Sequence, residues 1–307
     1  MTNAVIVSNP SAARAGGKGL VMAQRRLEAR GFRVTVQESR ATGDGERLAR
    51  AAVEAGADVV IAHGGDGTAM DVAAALVGTP VPLGLLPGGT GNVLAGNLGI
   101  GRSFMAAADT IAEGATRIID VGRLTTAAGS RYFAVNCAAG FAADLMAGTA
   151  QRHKRRFGVA AYVGRAILMV PNLVRAATRI EVDGAVHEGH ATTVIVANCG
   201  QIVPGVLSLA DDIAPDDGVF DVAVLDAASY GSALRVAWHM FARRPGADSG
   251  ITFYRGRRVR LTCEPVQSAE ADGELLGVTP MEVELVPLAL KVLAPPPRRR
   301  AGAPDGR

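Results

Sequence analysis

The 307-residue sequence is poor in cysteine and in aromatic residues, and both shortages narrow its possible functions. Its three cysteines, Cys137, Cys199 and Cys263, lie far apart and form no CxxC pair, so we expect neither a disulfide framework nor a zinc site. Aromatic residues make up only 4% of the chain and the formal net charge is +3, which argues against a nucleic-acid surface. We therefore predict a cytoplasmic protein with no nucleic-acid partner.

Long apolar runs are also missing. The N-terminal stretch MTNAVIVSNP lacks the basic segment and long apolar segment of a secretion signal, and no stretch reaches the ~18 uninterrupted apolar residues of a membrane span. Instead, 49% hydrophobic and 20% charged residues are typical of a folded globular chain with a sizeable core. We expect a soluble protein that is able to contact a membrane surface.

The first 120 or so residues alternate between strand and helix patterns. The stretches AVIVSNP, FRVTVQESR, DVVIAHGG and VPLGLLPGG are typical of buried strands, and each precedes a helical stretch. This alternation predicts a parallel sheet covered on both faces, in which ligands bind at the carboxyl ends of the strands. Beyond residue 120 the patterns predict antiparallel strands. One hairpin is expected at the turn AAGS, and a second at the DG pair 183–184, with the strands TRIEVDG and ATTVIVANC on either side. Helices are expected at about 144–177 and 229–243.

Three loops, SNPSAARAGGKG, HGGDGT and PGGTGN, lie between an apolar strand and a helix. Glycine lets the backbone approach a phosphate group, and N–H groups at a helix N-terminus attract anions. None of the loops matches a standard fingerprint, because Gly19 follows Lys18 and because Met70 stands where GxGxxG requires its last glycine. Two such loops at one edge of a sheet nevertheless favour an anion site over two simple tight turns.

Asp66 lies inside HGGDGT, where a carboxylate would repel a bound phosphate unless a cation separated them. Magnesium prefers carboxylate, water and phosphate oxygens. The loop therefore predicts a metal–nucleotide site in which Asp66 binds the metal directly or through water. The alternative is that Asp66 caps the helix that begins near Thr68. The spacing of the residues is compatible with both metal binding and helix capping by Asp66.

Two acidic stretches in the second half have similar alternatives. LADDIAPDDGVFDV, at 209–222, is either a solvated turn or a metal loop that uses one carboxylate and backbone carbonyls. SAEADGELLG, at 268–277, is either a plain hairpin turn or the source of a general base for phosphoryl transfer. Spacing alone favours the turn in both cases.

Taken in order, the motifs NPSA, GGDGTAMDV, LPGGTGNVLAGNLGI, RRFGVAAYV, DDGVFDVAVL and ADGELL resemble the diacylglycerol kinase catalytic-domain family, bacterial lipid kinases related to sphingosine kinases. GGDGT alone is shared with NAD kinases and, loosely, phosphofructokinases, whereas the combination is more specific. The resemblance implies an α/β nucleotide-binding domain (1–120) and a mainly antiparallel β-sandwich-like domain (121–283). It also implies a segment at about 284–295 that returns to the first domain. The tail 296–307 is expected to be disordered.

The resemblance also implies roles for individual residues. Asp272 would be the general base that activates the lipid hydroxyl, and Glu274 would support the nucleotide–metal network. A structural magnesium ion would be bound by Asp217 and by the carbonyls of Ala214 and Val219. The residues implied to contact the nucleotide are Asn9, Ser11, Thr42, Gly64, Gly65, Asp66, Gly67, Thr68 and Thr90. The implied cofactors are ATP and Mg²⁺.

The chain departs from the usual family pattern at Met70, Asp71, Val93 and Gly96, which bears on substrate identity more than on reaction class. The favoured function is an ATP-dependent kinase for diacylglycerol or a related lipid alcohol. The alternatives are a kinase for a soluble acceptor such as NAD and a non-catalytic lipid- or nucleotide-binding regulator. The expected partners are a lipid at the membrane surface and a second copy of the chain. The stretch 153–177, basic and then apolar, is either an interfacial helix or, as we favour, a helix over the core.

Overall fold

The computed structural model describes residues 1–10, 17–41, 43–147, 173–227, 229–242 and 250–297. Within these ranges the strands are β1 (Thr2–Ser8), β2 (Phe32–Glu38), β3 (Val59–Gly64), β4 (Leu83–Pro87), β5 (Thr116–Thr126), β6 (Gly129–Phe133), β7 (Asn136–Gly140), β8 (Ala176–Val182), β9 (Ala185–Ala191), β10 (Thr193–Ala197), β11 (Gln201–Val203), β12 (Leu207–Ser208), β13 (Phe220–Leu225), β14 (Ile251–Gly256), β15 (Arg258–Glu264), β16 (Ser268–Ala271), β17 (Glu274–Val278) and β18 (Met281–Leu293). The helices are α1 (Gly17–Glu28), α2 (Asp44–Glu54), α3 (Asp66–Leu76), α4 (Val93–Asn97), α5 (Phe104–Glu113), α6 (Phe141–Ala147) and α7 (Tyr230–Ala242).

The four N-terminal strands pair in parallel in the order β2-β1-β3-β4. The apolar side chains of β3 and β4 are buried and those of β2 are partly buried, because helices cover the sheet: α1 packs against α5, and α2 packs against α3. The strands and helices share one core, which includes Ile6, Leu27, Ile61, Leu86 and Ile111. The predicted parallel α/β architecture is therefore confirmed.

Strand β18 joins this sheet to the antiparallel half of the molecule. Its last residues run parallel to β4, with Val292 opposite Leu83. The rest of β18 pairs antiparallel with β15 and along most of β5. The result is a continuous ten-stranded sheet, parallel at one end and antiparallel at the other.

A second sheet of six antiparallel strands, in the order β14-β13-β10-β7-β16-β17, packs on the antiparallel half of the first. The core between the two sheets contains alternate residues of facing strands, among them Phe133, Ile180, Phe220 and Leu261. On the outer face of the six-stranded sheet, Val236 and Met240 of α7 pack on a third cluster of buried residues. The prediction of a mainly antiparallel, sandwich-like second half is confirmed.

Two details of the predicted second half are wrong. The DG turn forms, with positive φ at Asp183 and Gly184, but β8 pairs there with β9 rather than with ATTVIVANC. That stretch forms β10, which lies in the other sheet between β7 and β13. The helix predicted at 144–177 is too long at its C-terminal end, because strand β8 begins at Ala176. Residues 148–172 of that prediction and residues 298–307 of the predicted tail lie outside the residues that the structure describes.

Asp120 is a fully buried carboxylate at the centre of β5. The pairing of β18 with β5 shifts register between Val286 and Leu290, and Leu288 within this bulge has a φ of 46°. The Leu288 N–H, freed from the ladder, donates to Asp120 Oδ1 at 2.7 Å, and the Gly218 N–H donates to Oδ2 at 2.8 Å. Asp120 therefore binds the bulge of β18 to the turn that precedes β13.

We expect Asp120→Ala to lower the free energy of unfolding by about 2–5 kcal/mol, because the fully buried carboxylate and the two backbone hydrogen bonds that it accepts are lost. Urea denaturation measures the change. Asp58→Ala is the matched control, since exposed Asp58 also accepts one backbone N–H, from Asn3, but water can replace it. Equal losses in the two variants would contradict this role of Asp120.

Candidate functional site

The ends of β1 and β3 bring the first predicted site residues together. The Asn9 N–H donates to the His63 carbonyl at 2.9 Å, and Asn9 Nδ2 donates to Thr68 Oγ1 at 3.2 Å. His63 itself is buried, with Nδ1 2.9 Å from Ser8 Oγ, and burial lowers its pKa to about 4. It is therefore a neutral, structural part of the strand end. Ser11 and Thr42 lie outside the described residues.

The two glycine loops pack against each other, backbone to backbone. The Gly88 N–H donates to the Gly64 carbonyl at 2.7 Å. A Cβ on Gly89 would lie 2.5 Å from Gly65 Cα, and a Cβ on Gly64 would lie 2.5 Å from Thr68 Oγ1. The glycines are thus required by close contact, and they leave two adjacent strand–helix loops at one edge of the sheet. Thr90 lies exposed in the second loop.

Asp66 is the first residue of α3, yet its carboxylate caps the neighbouring helix α4. Oδ2 accepts the Asn92 N–H at 2.8 Å and Oδ1 accepts the Val93 N–H at 2.5 Å. The capping residue of α3 is Gly65, so the alternative in which Asp66 caps its own helix is wrong. Burial raises the pKa of Asp66, and these N–H bonds oppose the rise. The N–H groups of Leu94 and of Asp66 itself also lower this pKa.

Asp272 lies in the turn between β16 and β17, with a φ of 47°. Its Oδ2 accepts the Ala134 N–H at 2.8 Å, and its Oδ1 accepts the Val135 and Asn136 N–H groups at 3.1 and 3.0 Å. Burial raises the pKa of Asp272 to about 6, against the lowering effect of these N–H groups, and the charge of Asp66 raises it further. The two carboxylates, from opposite halves of the molecule, therefore interact.

Glu274 reaches the HGGDGT loop from β17. A Cβ on Gly67 would lie 2.8 Å from Glu274 Oε1, so the carboxylate lies against the loop. Arg131 of β6 binds Glu274 Oε2 at 2.8 Å and lies 3.5 Å from Asp71 Oδ1. Burial, then the charge of Glu274, raises the pKa of Asp71. Glu274 therefore lies against the loop that contains Asp66, and Asp272 lies two residues before it in the same segment. Carboxylate oxygens suit a metal–phosphate ligand, but among the described residues these three side chains form no metal site by themselves, so the remaining metal ligands would come from phosphate and water.

The turn at 214–219, where the resemblance implies a structural magnesium ion, instead has an arginine paired with the carboxylate of Asp217. Arg255 Nη2 binds Asp217 Oδ2 at 2.8 Å, and Arg255 Nε lies 3.1 Å from Asp221 Oδ1. The Val219 N–H donates to the other oxygen of Asp217 at 3.2 Å. Among the described residues no group of three or more His, Cys, Asp or Glu side chains could hold a metal ion. With a guanidinium on Asp217, the residues Asp217, Ala214 and Val219 do not fit a directly bound magnesium ion.

Sequence reasoning missed Arg131, Arg255 and Asp120. The arginines gave no signal, because each meets its acidic partners across more than 30 residues of sequence. Asp120 did give one: it is a single acid in the apolar strand RIIDVGRL, and a buried charge needs partners.

Comparisons with known proteins agree with this architecture. The family model for the diacylglycerol kinase catalytic domain matches residues 3–124, and that for the YegS C-terminal NAD kinase beta sandwich-like domain matches residues 136–294. A diacylglycerol kinase of Bacillus subtilis is 30% identical over 287 residues, which cover 92% of this chain and 93% of that protein. An uncharacterized protein of Synechocystis is 30% identical over 244 residues, 78% of this chain and 55% of that protein.

A crystal structure of a diacylglycerol kinase from Bacillus anthracis superposes with a TM-score of 0.74 over 96% of this chain and 97% of that one. The identity is 19%, so this likeness supports the fold alone. Across the part of the chain that the structure describes, no helix is both long and apolar enough to cross a membrane.

We expect wild-type stability, without nucleotide, to be the same in magnesium and in EDTA, because Arg255 already neutralises Asp217 and Asp221. Arg255→Ala should lower the free energy of unfolding by about 1–2 kcal/mol and make it rise with magnesium. Thermal melting in both buffers measures this. Arg179→Ala, which removes an exposed ion pair with Glu188, is the control and should change little. A saturable stabilisation of the wild type by magnesium would contradict the interpretation.

Proposed function

Because the chain belongs to the diacylglycerol kinase catalytic-domain family, we propose that it is an ATP-dependent kinase of diacylglycerol or a related lipid alcohol. The observation that supports this best is the contact between Glu274, from the antiparallel half, and Gly67 in the first glycine loop of the α/β half. Asp272 lies only two residues before Glu274, and the charge of Asp66 raises its pKa. A phosphate donor on the loops and a hydroxyl acceptor beside Asp272 would then share one cleft.

In this proposal the phosphates of ATP lie on the loops 64–68 and 88–91, near the first turn of α3. Gly65 has no side chain to satisfy the first N–H groups of that helix, so they suit an anion. Asn9, Thr68 and Thr90 would contact the nucleotide from the same edge. Asp66 and Glu274 would orient its magnesium ion through water, because Asp66 accepts N–H groups of α4 and Arg131 pairs with Glu274. The ion would supply charge neutralisation on the phosphates.

Asp272 would act as the general base. It accepts the proton of the lipid hydroxyl, the hydroxyl oxygen forms a bond to the γ-phosphorus, and the bond to the β–γ bridging oxygen breaks. With a pKa of about 6, Asp272 is mostly a carboxylate at neutral pH and still a useful base. The three N–H groups of residues 134–136 fix its orientation, and Arg131 positions Glu274 against Gly67.

Radiolabelled ATP, offered with diacylglycerol, sphingoid bases, other lipid alcohols and NAD in turn, tests the reaction. We expect label to move to a lipid in the organic phase, because the acceptor is a lipid hydroxyl. Label in NADP would favour the soluble-acceptor kinase. No labelled product from any acceptor would favour a non-catalytic regulator.

Asp272→Asn should lower kcat by about a hundredfold or more, the usual contribution of a general base, with little change in KM for ATP. The amide has nearly the same shape and keeps one acceptor oxygen for the Val135 and Asn136 N–H groups, and circular dichroism checks that the fold survives the loss of the acceptor for Ala134 N–H. Glu188→Gln is the control, because Glu188 is exposed on β9. Near-normal turnover in Asp272→Asn would remove this residue from the mechanism.

The raised pKa of Asp272 predicts the pH dependence of the reaction. The base works only when deprotonated, so kcat/KM should be level above pH about 6 and fall about tenfold per pH unit below it. Steady-state rates between mildly acid and neutral pH measure the profile. A profile that breaks near the ordinary carboxyl pKa of about 4 would contradict the assignment.

A further inference from the structure

Helix α7 presents an apolar stripe to solvent. Its inner face is anchored, because Val236 and Met240 are buried against the six-stranded sheet. Its outer face carries Leu234, Trp238 and Phe241, which are 63%, 65% and 59% exposed. These residues follow one another at i, i+4 and i+7, so they line one side of the helix. The rings of Trp238 and Phe241 are 6.2 Å apart.

This stripe is unusual for the molecule. The chain has a single tryptophan and only 4% aromatic residues, yet the tryptophan lies at the surface beside an exposed phenylalanine. Isolated apolar residues are normal at a surface, whereas a continuous Leu–Trp–Phe stripe marks a contact surface. Because the inner face of α7 packs in the third cluster of buried residues, the helix that carries the stripe is anchored to the six-stranded sheet.

The charge of the same stretch indicates what the stripe contacts. The sequence from Tyr230 to Arg244, YGSALRVAWHMFARR, contains three arginines and a histidine but no acidic residue. Arg235, next to Leu234, is exposed. Leucine, tryptophan and phenylalanine flanked by arginine are the composition of helices that lie in the interface of an anionic bilayer. Two copies of this surface, in contrast, would bring arginines of the same charge together.

We propose that α7 is the element by which this protein docks on an anionic lipid bilayer. Leu234, Trp238 and Phe241 enter the boundary between headgroups and acyl chains, and Arg235 remains among the headgroups. The helix has 13 residues, roughly 20 Å, so it lies in the plane of the bilayer rather than across it. The proposal deepens the proposed lipid kinase function, since docking would bring the cleft to its substrate.

Trp238 is a built-in reporter, because no other tryptophan contributes to the emission. We expect its emission to shift to shorter wavelength, and its quenching by iodide to fall, on vesicles of phosphatidylcholine with phosphatidylglycerol. Vesicles of phosphatidylcholine alone should have much less effect, and added salt should weaken the response. The double variant Leu234→Ser, Phe241→Ser should weaken vesicle binding at least about tenfold. The matched control is Val266→Ser, which changes a residue that is 60% exposed between β15 and β16.

Three results would overturn the proposal. One is the absence of any emission change on anionic vesicles with folded protein. Another is a shift that grows with protein concentration alone, which would show that a second copy covers the stripe. The third is an emission already at short wavelength and protected from iodide without vesicles, which would show that the chain's own residues cover it.

A kinase assay separates this proposal from the proposed function. With a water-soluble short-chain diacylglycerol, the Leu234→Ser, Phe241→Ser variant should keep wild-type turnover, because the stripe lies outside the cleft residues. With diacylglycerol in anionic vesicles, it should lose activity in parallel with binding. If the wild type binds vesicles but phosphorylates no lipid, the result contradicts the proposed kinase function and supports docking by α7. If both proteins use vesicle substrate equally well, the docking surface fails and the function stands.

Discussion

The shared strand β18 is the constraint on which the rest of the molecule depends. One end of β18 continues the parallel sheet beside β4, and the other end forms the antiparallel sandwich with β15. A strand that serves both halves must change register between them, and the bulge at Leu288 leaves an N–H group that Asp120 accepts. The same Asp120 binds the turn before β13. β18 and Asp120 therefore connect the α/β half, which carries the glycine loops, to the antiparallel half, which carries the β16–β17 turn.

At the site, backbone N–H groups rather than cationic side chains hold the two central carboxylates. Asp66 receives its N–H groups from the start of α4, and Asp272 receives three from residues 134–136. Such bonds fix direction without cancelling the whole charge, so burial still raises the pKa of both groups. A carboxylate that is oriented and moderately basic suits proton transfer. By contrast Glu274, which Arg131 pairs, suits a supporting charge.

Much of the fold could be predicted from local pattern. The parallel strands are continuous apolar runs with a helix after each, and the glycine loops follow from their position between the two. The errors lie where pairing is non-local: the buried run TVIVA of β10 is the same whether it pairs with β8 or, as observed, with β7 and β13. The capping of α4 by Asp66 could not be predicted from local pattern either, because the contact joins residues 26 positions apart. Resemblance supplied the remaining site residues, but it could not supply the arginine on Asp217.

The departures from the usual family pattern have structural reasons of their own. The Met70 side chain is buried in the core of the α/β half, where it packs against other apolar residues. Val93 takes part in the site through its N–H, which donates to Asp66, and any side chain except that of proline allows this bond. A Cβ on Gly96 would lie 2.5 Å from Pro204 Cγ, so α4 and the β11–β12 hairpin approach closely only with glycine. The first two positions leave the geometry of the loops unchanged. The third instead lets Pro204 of the antiparallel half approach α4 of the α/β half.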